Sequence, residues 1–212
     1  MGKTKIKICG LRRREDVDYV NRWRPDYIGF ILADGFRRQI LPEQAGELAD
    51  HLDPQIKRVG VFVNQPVAFV SDLLDRGIIQ LAQLHGEEEE DYIQSLREIC
   101  KKRGCPSEII QAVRVRGAED IQRAQKSSAD LLLLDAWSDK SVGGNGQTFD
   151  WSLVQGLKRP YFLAGGLGAH NVAEAIRCVQ PYGVDASSSL ETEGYKDPDK
   201  IREFVKRVKE LM

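Results

Sequence analysis

Eight short apolar runs recur along the chain, each leading into a stretch with helical periodicity, and this alternation constrains the fold more than any other feature. The runs are KIKIC (5–9), YIGFIL (27–32), RVGVFV (58–63), LAQLH (81–85), IIQAVRV (109–115), DLLLLDA (130–136), PYFLAG (160–165) and GVDASS (183–188). Several are continuous rather than alternating, as strands buried on both faces of a parallel sheet are. Amphipathic stretches separate them. Ala45, Leu48, Ala49 and Leu52 share one helical face, as do Val172, Ala175, Ile176 and Val179. The last stripe, Ile201, Phe204, Val205 and Val208, follows Pro198, a residue suited to the first helical position. Weaker helices are expected over 118–126 and just after Asp150. No linker or low-complexity tract divides the chain, so residues 1–212 read as one domain. Eight alternations favour a (β/α)8 TIM barrel over an open doubly wound sheet, which has about five to seven strands.

Composition narrows the functional classes. The 212 residues carry 31 Lys+Arg against 32 Asp+Glu, a formal net charge of −1 that argues against nonspecific binding to nucleic acid. No run approaches the roughly 18–20 apolar residues of a membrane-spanning helix, and the N-terminal MGKTKIKICG lacks a signal-peptide core. Cys9, Cys100, Cys105 and Cys178 have no zinc-type spacing. The expectation is a reduced, cytoplasmic protein that uses no metal. The acidic run Glu87–Glu90, followed by Asp91 opening a helix, reads as a solvated helix start rather than a metal site.

In a barrel of this type the active site forms at the C-terminal ends of the strands. Those ends carry Cys9, Arg38 in the loop after the second run, His85, Asp135, Gly165 with Gly166, and Ser187 with Ser188. Glycine pairs and small hydroxyls after the seventh and eighth strands suit a phosphate held by backbone N–H groups. Taken alone, the GG pair reads more readily as a turn; together with the serines on the adjacent strand end it favours phosphate. Asp135 closes LLLLD and fits either a helix cap or a general acid whose apolar surroundings raise its pKa. Cys9 fits either an inert buried thiol or a proton acceptor. Arg38 is a solvated charge or a bidentate clamp on a carboxylate. His85 is a structural histidine or a ligand. Trp151 reads as packing, and GGNG (143–146) as a loop that closes over a ligand.

At these residues the sequence resembles the phosphoribosylanthranilate isomerases. The motifs are KICG (7–10), RRQI (37–40), VGVFVN (59–64), QLHGEE (83–88), LLLD (132–135), GGNGQTFDW (143–151), AGGL (164–167), VDASS (184–188) and GYKD (194–197). The resemblance implies a cofactor-free (β/α)8 barrel that isomerises N-(5′-phosphoribosyl)anthranilate by an Amadori rearrangement. It also implies Cys9 as general base, Asp135 as general acid and Arg38 as the residue meeting the anthranilate. Gly165, Gly166, Ser187 and Ser188 become the phosphate cradle, and His85 and Asp185 match motif positions at the substrate. A phosphorylated small molecule is the implied partner, and the chain is expected as a monomer or homodimer.

Two positions depart from the family. Ser189 stands where glycine is common, and Phe36 where a small or polar residue is usual. Ser189 is expected to cap the helix behind it rather than to bind phosphate. Two alternatives stay open. One is the related Amadori isomerase of histidine biosynthesis, which pairs two aspartates; the other is a catalytically silent sensor of a phosphorylated ligand.

Overall fold

The computed structural model describes residues 3–136, 150–154 and 156–211. All eight runs become strands: β1 (Lys5–Cys9), β2 (Tyr27–Ile31), β3 (Lys57–Phe62), β4 (Leu81–Leu84), β5 (Glu108–Val115), β6 (Leu131–Ala136), β7 (Tyr161–Leu163) and β8 (Gly183–Ala186). They pair in parallel and in chain order, and β8 returns to β1 through the register Lys7↔Asp185, which closes the barrel. The helices α1 (Arg14–Trp23), α2 (Pro42–Ala49), α3 (Val67–Asp75), α4 (Glu90–Arg103), α5 (Ala118–Ala124), α6 (Val172–Val179) and α7 (Pro198–Lys209) complete the alternation. Among the described residues, only a single 3-10 turn at Trp151–Val154 stands between β6 and β7.

The apolar stripes place α2, α4, α5, α6 and α7 to within a few residues. They do not single out α1, whose buried apolar side chains are Val17 and Val20 alone. Its start is fixed by a polar group. The buried Asp16 carboxylate accepts the backbone N–H of Arg12 (3.0 Å) and Arg13 (3.2 Å), groups that a helix start leaves unpaired. At the other end of the chain, Asp197 accepts from the N–H groups of Asp199 and Lys200, with Pro198 in the first turn as expected.

One expectation fails here. The acidic run before α4 is not simply a solvated helix start, because Glu88 is buried. Its carboxylate accepts the N–H of Asn64 (2.6 Å) and of Gly86 (2.8 Å), tying the loop after β3 to the loop after β4. Backbone donors in two tight loops need an acceptor, and this side chain supplies it.

The barrel interior divides by height. Its floor is apolar: Tyr27, Val59, Leu81, Ile110, Leu133 and Phe162 pack together, with Phe162 edge-on to Tyr27 and to Tyr182. Above it the inward positions turn polar, with Lys7 and Cys9 on β1, Gln83 on β4, Asp135 on β6 and Asp185 on β8. A second apolar layer between sheet and helices seals the outside, including Ile8, Ile28, Phe30, Leu132 and Phe204. A residue such as Leu132, wholly removed from water, contributes about 1.5–3 kcal/mol. Two apolar layers thus enclose a polar cup that opens toward the C-terminal strand ends.

Candidate active site

The cup is a cavity of about 580 Å3, and all nine expected site residues line it: Cys9, Arg38, His85, Asp135, Gly165, Gly166, Asp185, Ser187 and Ser188. Residue period decides this convergence. Lys5, Lys7 and Cys9 alternate inward along β1, and Asp135 and Asp185 fall on the same inward phase of β6 and β8. Phe36 also reaches the lining, so the departure in the loop after β2 shapes the cavity. Trp151 packs against the core instead, as expected. The GGNG loop lies outside the described residues.

Cys9 is buried beside Gly29, which faces it across the β1–β2 pair. A Cβ at position 29 would fall 2.6 Å from Cys9 Sγ, so the missing side chain makes the space the thiol occupies. Burial pushes the Cys9 thiol above its ordinary pKa, while the ammonium groups of Lys7 and Lys196 pull it back. Lys7 is fully buried and lies 3.0 Å from Asp185 Oδ1, at angles outside hydrogen-bond geometry. Burial disfavours its charge, but Asp185 and the Cys9 thiol outweigh that and hold Lys7 above the usual lysine range. Asp185 is pushed up by burial, against the pull of Lys7.

On the far wall His85 Nε2 lies 3.4 Å from Asp135 Oδ2, and His85 Nδ1 meets Gln83 Nε2 at 2.9 Å. The neighbours of Asp135 are therefore polar, not the apolar surroundings expected from LLLLD. Gln83 on β4 and His85 just after it replace the aliphatic neighbours that the Asp135 strand suggested.

Gly165 and Gly166 both take positive φ, +83° and +64°, and a Cβ on Gly165 would fall 2.5 Å from the Ala136 nitrogen. Only glycine lets the β7 loop lie this close to β6. On the neighbouring strand end, the Ser187 hydroxyl donates to the Cys9 carbonyl at 2.9 Å. The expected cap at Ser189 is not made. Ser189 sits inside a 3-10 turn at Ser188–Leu190, and its hydroxyl donates to the Leu167 carbonyl. It pins the loop after β7 to the loop after β8, because the short turn leaves no α-helix start within its reach.

Arg38 is not a solvated charge. Its Nε and Nη2 donate to Glu191 Oε1 (2.6 Å) and Oε2 (3.0 Å), a side-on bidentate pair. Glu191 opens a short hairpin of β9 (Glu191–Thr192) and β10 (Tyr195–Lys196). Arg37 Nη2 (2.7 Å) and the buried Lys196 Nζ (2.9 Å) also bond to Glu191. Burial opposes the Glu191 charge, yet Arg38 and Lys196 overcome it and hold the carboxyl at about 2.

Four polar residues of the site were not singled out by the sequence: Lys7, Gln83, Glu191 and Lys196. Lys7 and Gln83 each carry a usable signal, since each lies two residues before a candidate on the same inward phase. Lys196 lies within the GYKD motif, but Glu191 carries no signal, because two-residue strands show no periodicity.

The family model for N-(5′-phosphoribosyl)anthranilate isomerase matches residues 6–207 of this chain. The chain belongs to this family. It is thus an isomerase of tryptophan biosynthesis acting on N-(5′-phosphoribosyl)anthranilate. N-(5′-phosphoribosyl)anthranilate isomerases of Endomicrobium trichonymphae and Thermoanaerobacter sp. (strain X514) are 44% and 42% identical to it. Those alignments cover 98% and 97% of this chain and 99% and 98% of the relatives. Among solved structures, the phosphoribosyl anthranilate isomerase of Thermotoga maritima superposes with a TM-score of 0.87 at 34% identity, covering 98% of this chain and 100% of that one. The Thermus thermophilus isomerase gives a TM-score of 0.86 at 31% identity, covering 99% and 100%. A 3-hexulose-6-phosphate synthase from Salmonella typhimurium, at 15% identity and a TM-score of 0.75, shares the fold alone.

Proposed function

We propose that this isomerase works with Cys9 as general base and Asp135 as general acid, with Arg38 holding the anthranilate carboxylate. Gly165, Gly166, Ser187 and Ser188 hold the phosphate. The observation that carries the reading is the common cavity: acid, base, guanidinium and glycine-serine cradle face one another across a single cup. A solved relative at 33% identity is described in complex with reduced 1-(o-carboxyphenylamino)-1-deoxyribulose 5-phosphate, a molecule with both a carboxylate and a phosphate.

The chemistry proceeds by one proton transfer from Asp135 and one to Cys9, followed by tautomerisation of the enol amine. Asp135 gives a proton to the ribose ring oxygen as the bond from that oxygen to C1′ breaks, and the anilino nitrogen lone pair forms the C1′ iminium. Cys9 then takes the C2′ proton. The electrons of that C–H bond form C1′=C2′ and neutralise the nitrogen, giving an enol amine. Its C2′ hydroxyl loses a proton and C1′ gains one, leaving the 2-keto amine, 1-(2-carboxyphenylamino)-1-deoxyribulose 5-phosphate. Oxidation rises at C2′ and falls at C1′, so no external oxidant or reductant is required.

His85 Nε2 stands 3.4 Å from the Asp135 carboxyl, close to the acid but without a hydrogen bond to it. Lys7 stabilises the thiolate that burial disfavours. Since the Ser187 hydroxyl hydrogen is committed to the Cys9 carbonyl, Ser187 serves the phosphate without it. The reading also takes residues 1–212 as one cytoplasmic domain with reduced thiols, no cofactor and no nucleic-acid partner; all four cysteines are free. A homodimer is one form to test, as the Thermotoga maritima enzyme is described as dimeric.

Steady-state turnover of N-(5′-phosphoribosyl)anthranilate tests the assignment. Cys9→Ala is expected to lower kcat by at least about 10², the lower bound for general-base loss. Asp135→Asn keeps the shape and removes the transferable proton, so kcat falls while KM moves little. Near-normal turnover in Cys9→Ala, or a pure KM effect in Asp135→Asn, would overturn the respective role.

A further inference from the structure

We infer that Glu191 is a positioning residue: it presents Arg38 to the carboxylate of the substrate and so sets the preference for a carboxylated aromatic ring. The inference deepens the reading in which Arg38 meets that carboxylate, and rests on it.

Arg38 follows β2 on a loop, and a long side chain there must be ordered before it can hold a ligand well. Two features order it. Gly10, at φ +85°, clears its path: a Cβ there would fall 2.7 Å from Arg38 Cδ. Glu191 then grips the Nε/Nη2 edge of the guanidinium through two short bonds. A guanidinium has five N–H donors in a fixed fork, so this grip leaves the Nη1 donors and the second Nη2 donor for a ligand. A substrate carboxylate therefore meets Arg38 end-on, because the side-on edge is already occupied.

Glu191 is itself over-determined. Its side chain is 5% exposed, it accepts from Lys196 and Arg37, and its backbone carbonyl accepts from Lys200 Nζ. Lys196 Nζ also donates to the Ser187 carbonyl (2.9 Å), which connects the carboxylate end of the cavity to the phosphate end. The balance of charge still suits an anion. Arg37, Arg38 and Lys196 are three cations against one carboxylate, so the cluster keeps an excess of two positive charges.

The test measures inhibition of N-(5′-phosphoribosyl)anthranilate turnover by two probes. One is reduced 1-(2-carboxyphenylamino)-1-deoxyribulose 5-phosphate, and the other is the same molecule without the ring carboxylate. Glu191→Gln is expected to weaken the carboxylated probe by at least about tenfold, the effect of one lost charge-assisted contact. The carboxylate-free probe should change by less than about twofold, well under one such contact. A purely structural role for Glu191 would weaken both probes alike, and that outcome overturns the inference. Should Glu191→Gln fold poorly, Glu191→Gln with Lys196→Met removes the surplus buried cation, and the same discrimination is expected. Arg38→Met separates the two levels. If Arg38→Met discriminates between the probes and Glu191→Gln does not, positioning by Glu191 is wrong and the role of Arg38 stands. If Arg38→Met does not discriminate either, the placement of the carboxylate on Arg38 fails, and the inference fails with it.

Discussion

A buried thiol is a poor base unless something offsets the loss of hydration, and in this protein the ammonium groups of Lys7 and Lys196 supply the offset, Lys7 first. Lys7 lies two residues before Cys9 on the inward face of β1 and is shut off from solvent. Lys7→Met removes that ammonium, so the pH at which Cys9 ionises moves further up and the thiolate fraction near neutrality falls. The expected outcome is a kcat lower by at least about tenfold near neutrality, with partial recovery as pH rises. A pH–rate profile checks it, and an unshifted profile would remove Lys7 from the chemistry. The same variant leaves Asp185 buried without its cation, a loss of about 3–5 kcal/mol in denaturant unfolding. Adding Asp185→Asn should restore part of it. The sequence made Cys9 and Asp185 legible as separate motif positions. It did not show their joint partner, because a lysine in a short strand reads as surface until the barrel closes and Lys7 meets Asp185 across the β1–β8 register.

The strands and most of the α-helices were legible at the scale of elements because each carries a run or a stripe of its own; α1, with only Val17 and Val20 buried among its apolar side chains, does not. The elements that complete the site carry neither. The β9–β10 hairpin has two residues on each side, so no period exists to read, yet it brings Glu191 to Arg38 and Lys196 to Ser187. The acidic run before α4 misled for a related reason: charge in a sequence suggests solvent, whereas Glu88 is spent on the N–H groups of two loops. Glu191 gives the hairpin a pH signature. Its carboxyl is held at about 2, against an ordinary 4.5, so the folded state favours the charged form. Stability from this group is fully present above the ordinary value and is lost as pH falls through about 2. The shift corresponds to no more than about 3.5 kcal/mol, at 1.36 kcal/mol for each pH unit. Lys196 reduces the net gain, since burial pushes its own ammonium down. The larger share therefore comes from Arg38, whose charge persists at every pH of interest. Chemical denaturation of Glu191→Gln across the acid range should lose this dependence, and a variant that tracked the parent would show that Glu191 does not titrate the hairpin.

Across the whole molecule the barrel separates stability from chemistry by height, and one substitution made at two heights exposes the division. Gly29 lies at the rim and Gly183 at the floor, and a Cβ at either would intrude to a similar depth. At position 183 it would fall 2.4 Å from Phe162 Cε1 and 3.0 Å from the Lys5 carbonyl; at position 29 it would fall 2.6 Å from Cys9 Sγ. Neither glycine has the positive φ that would strain an added side chain, so the two variants differ only in what the new methyl meets. In Gly183→Ala the methyl forces the Phe162 ring out of its edge-on packing with Tyr27 and Tyr182. Overpacking of this kind costs about 1–3 kcal/mol. For a chain of this size, that lowers Tm by about 2–12 °C. The cavity lies above Phe162, so kcat and KM measured well below that Tm should equal those of the parent. In Gly29→Ala the methyl displaces the thiol instead. An ångström of misplacement at the base can cost about 10² in rate, so kcat should fall by a factor of that order while Tm changes less than in Gly183→Ala. Thermal unfolding and steady-state turnover on the two variants read both axes. Equal loss of activity in the two, or loss of stability alone in Gly29→Ala, would mean that the floor and the rim of this barrel are not independent.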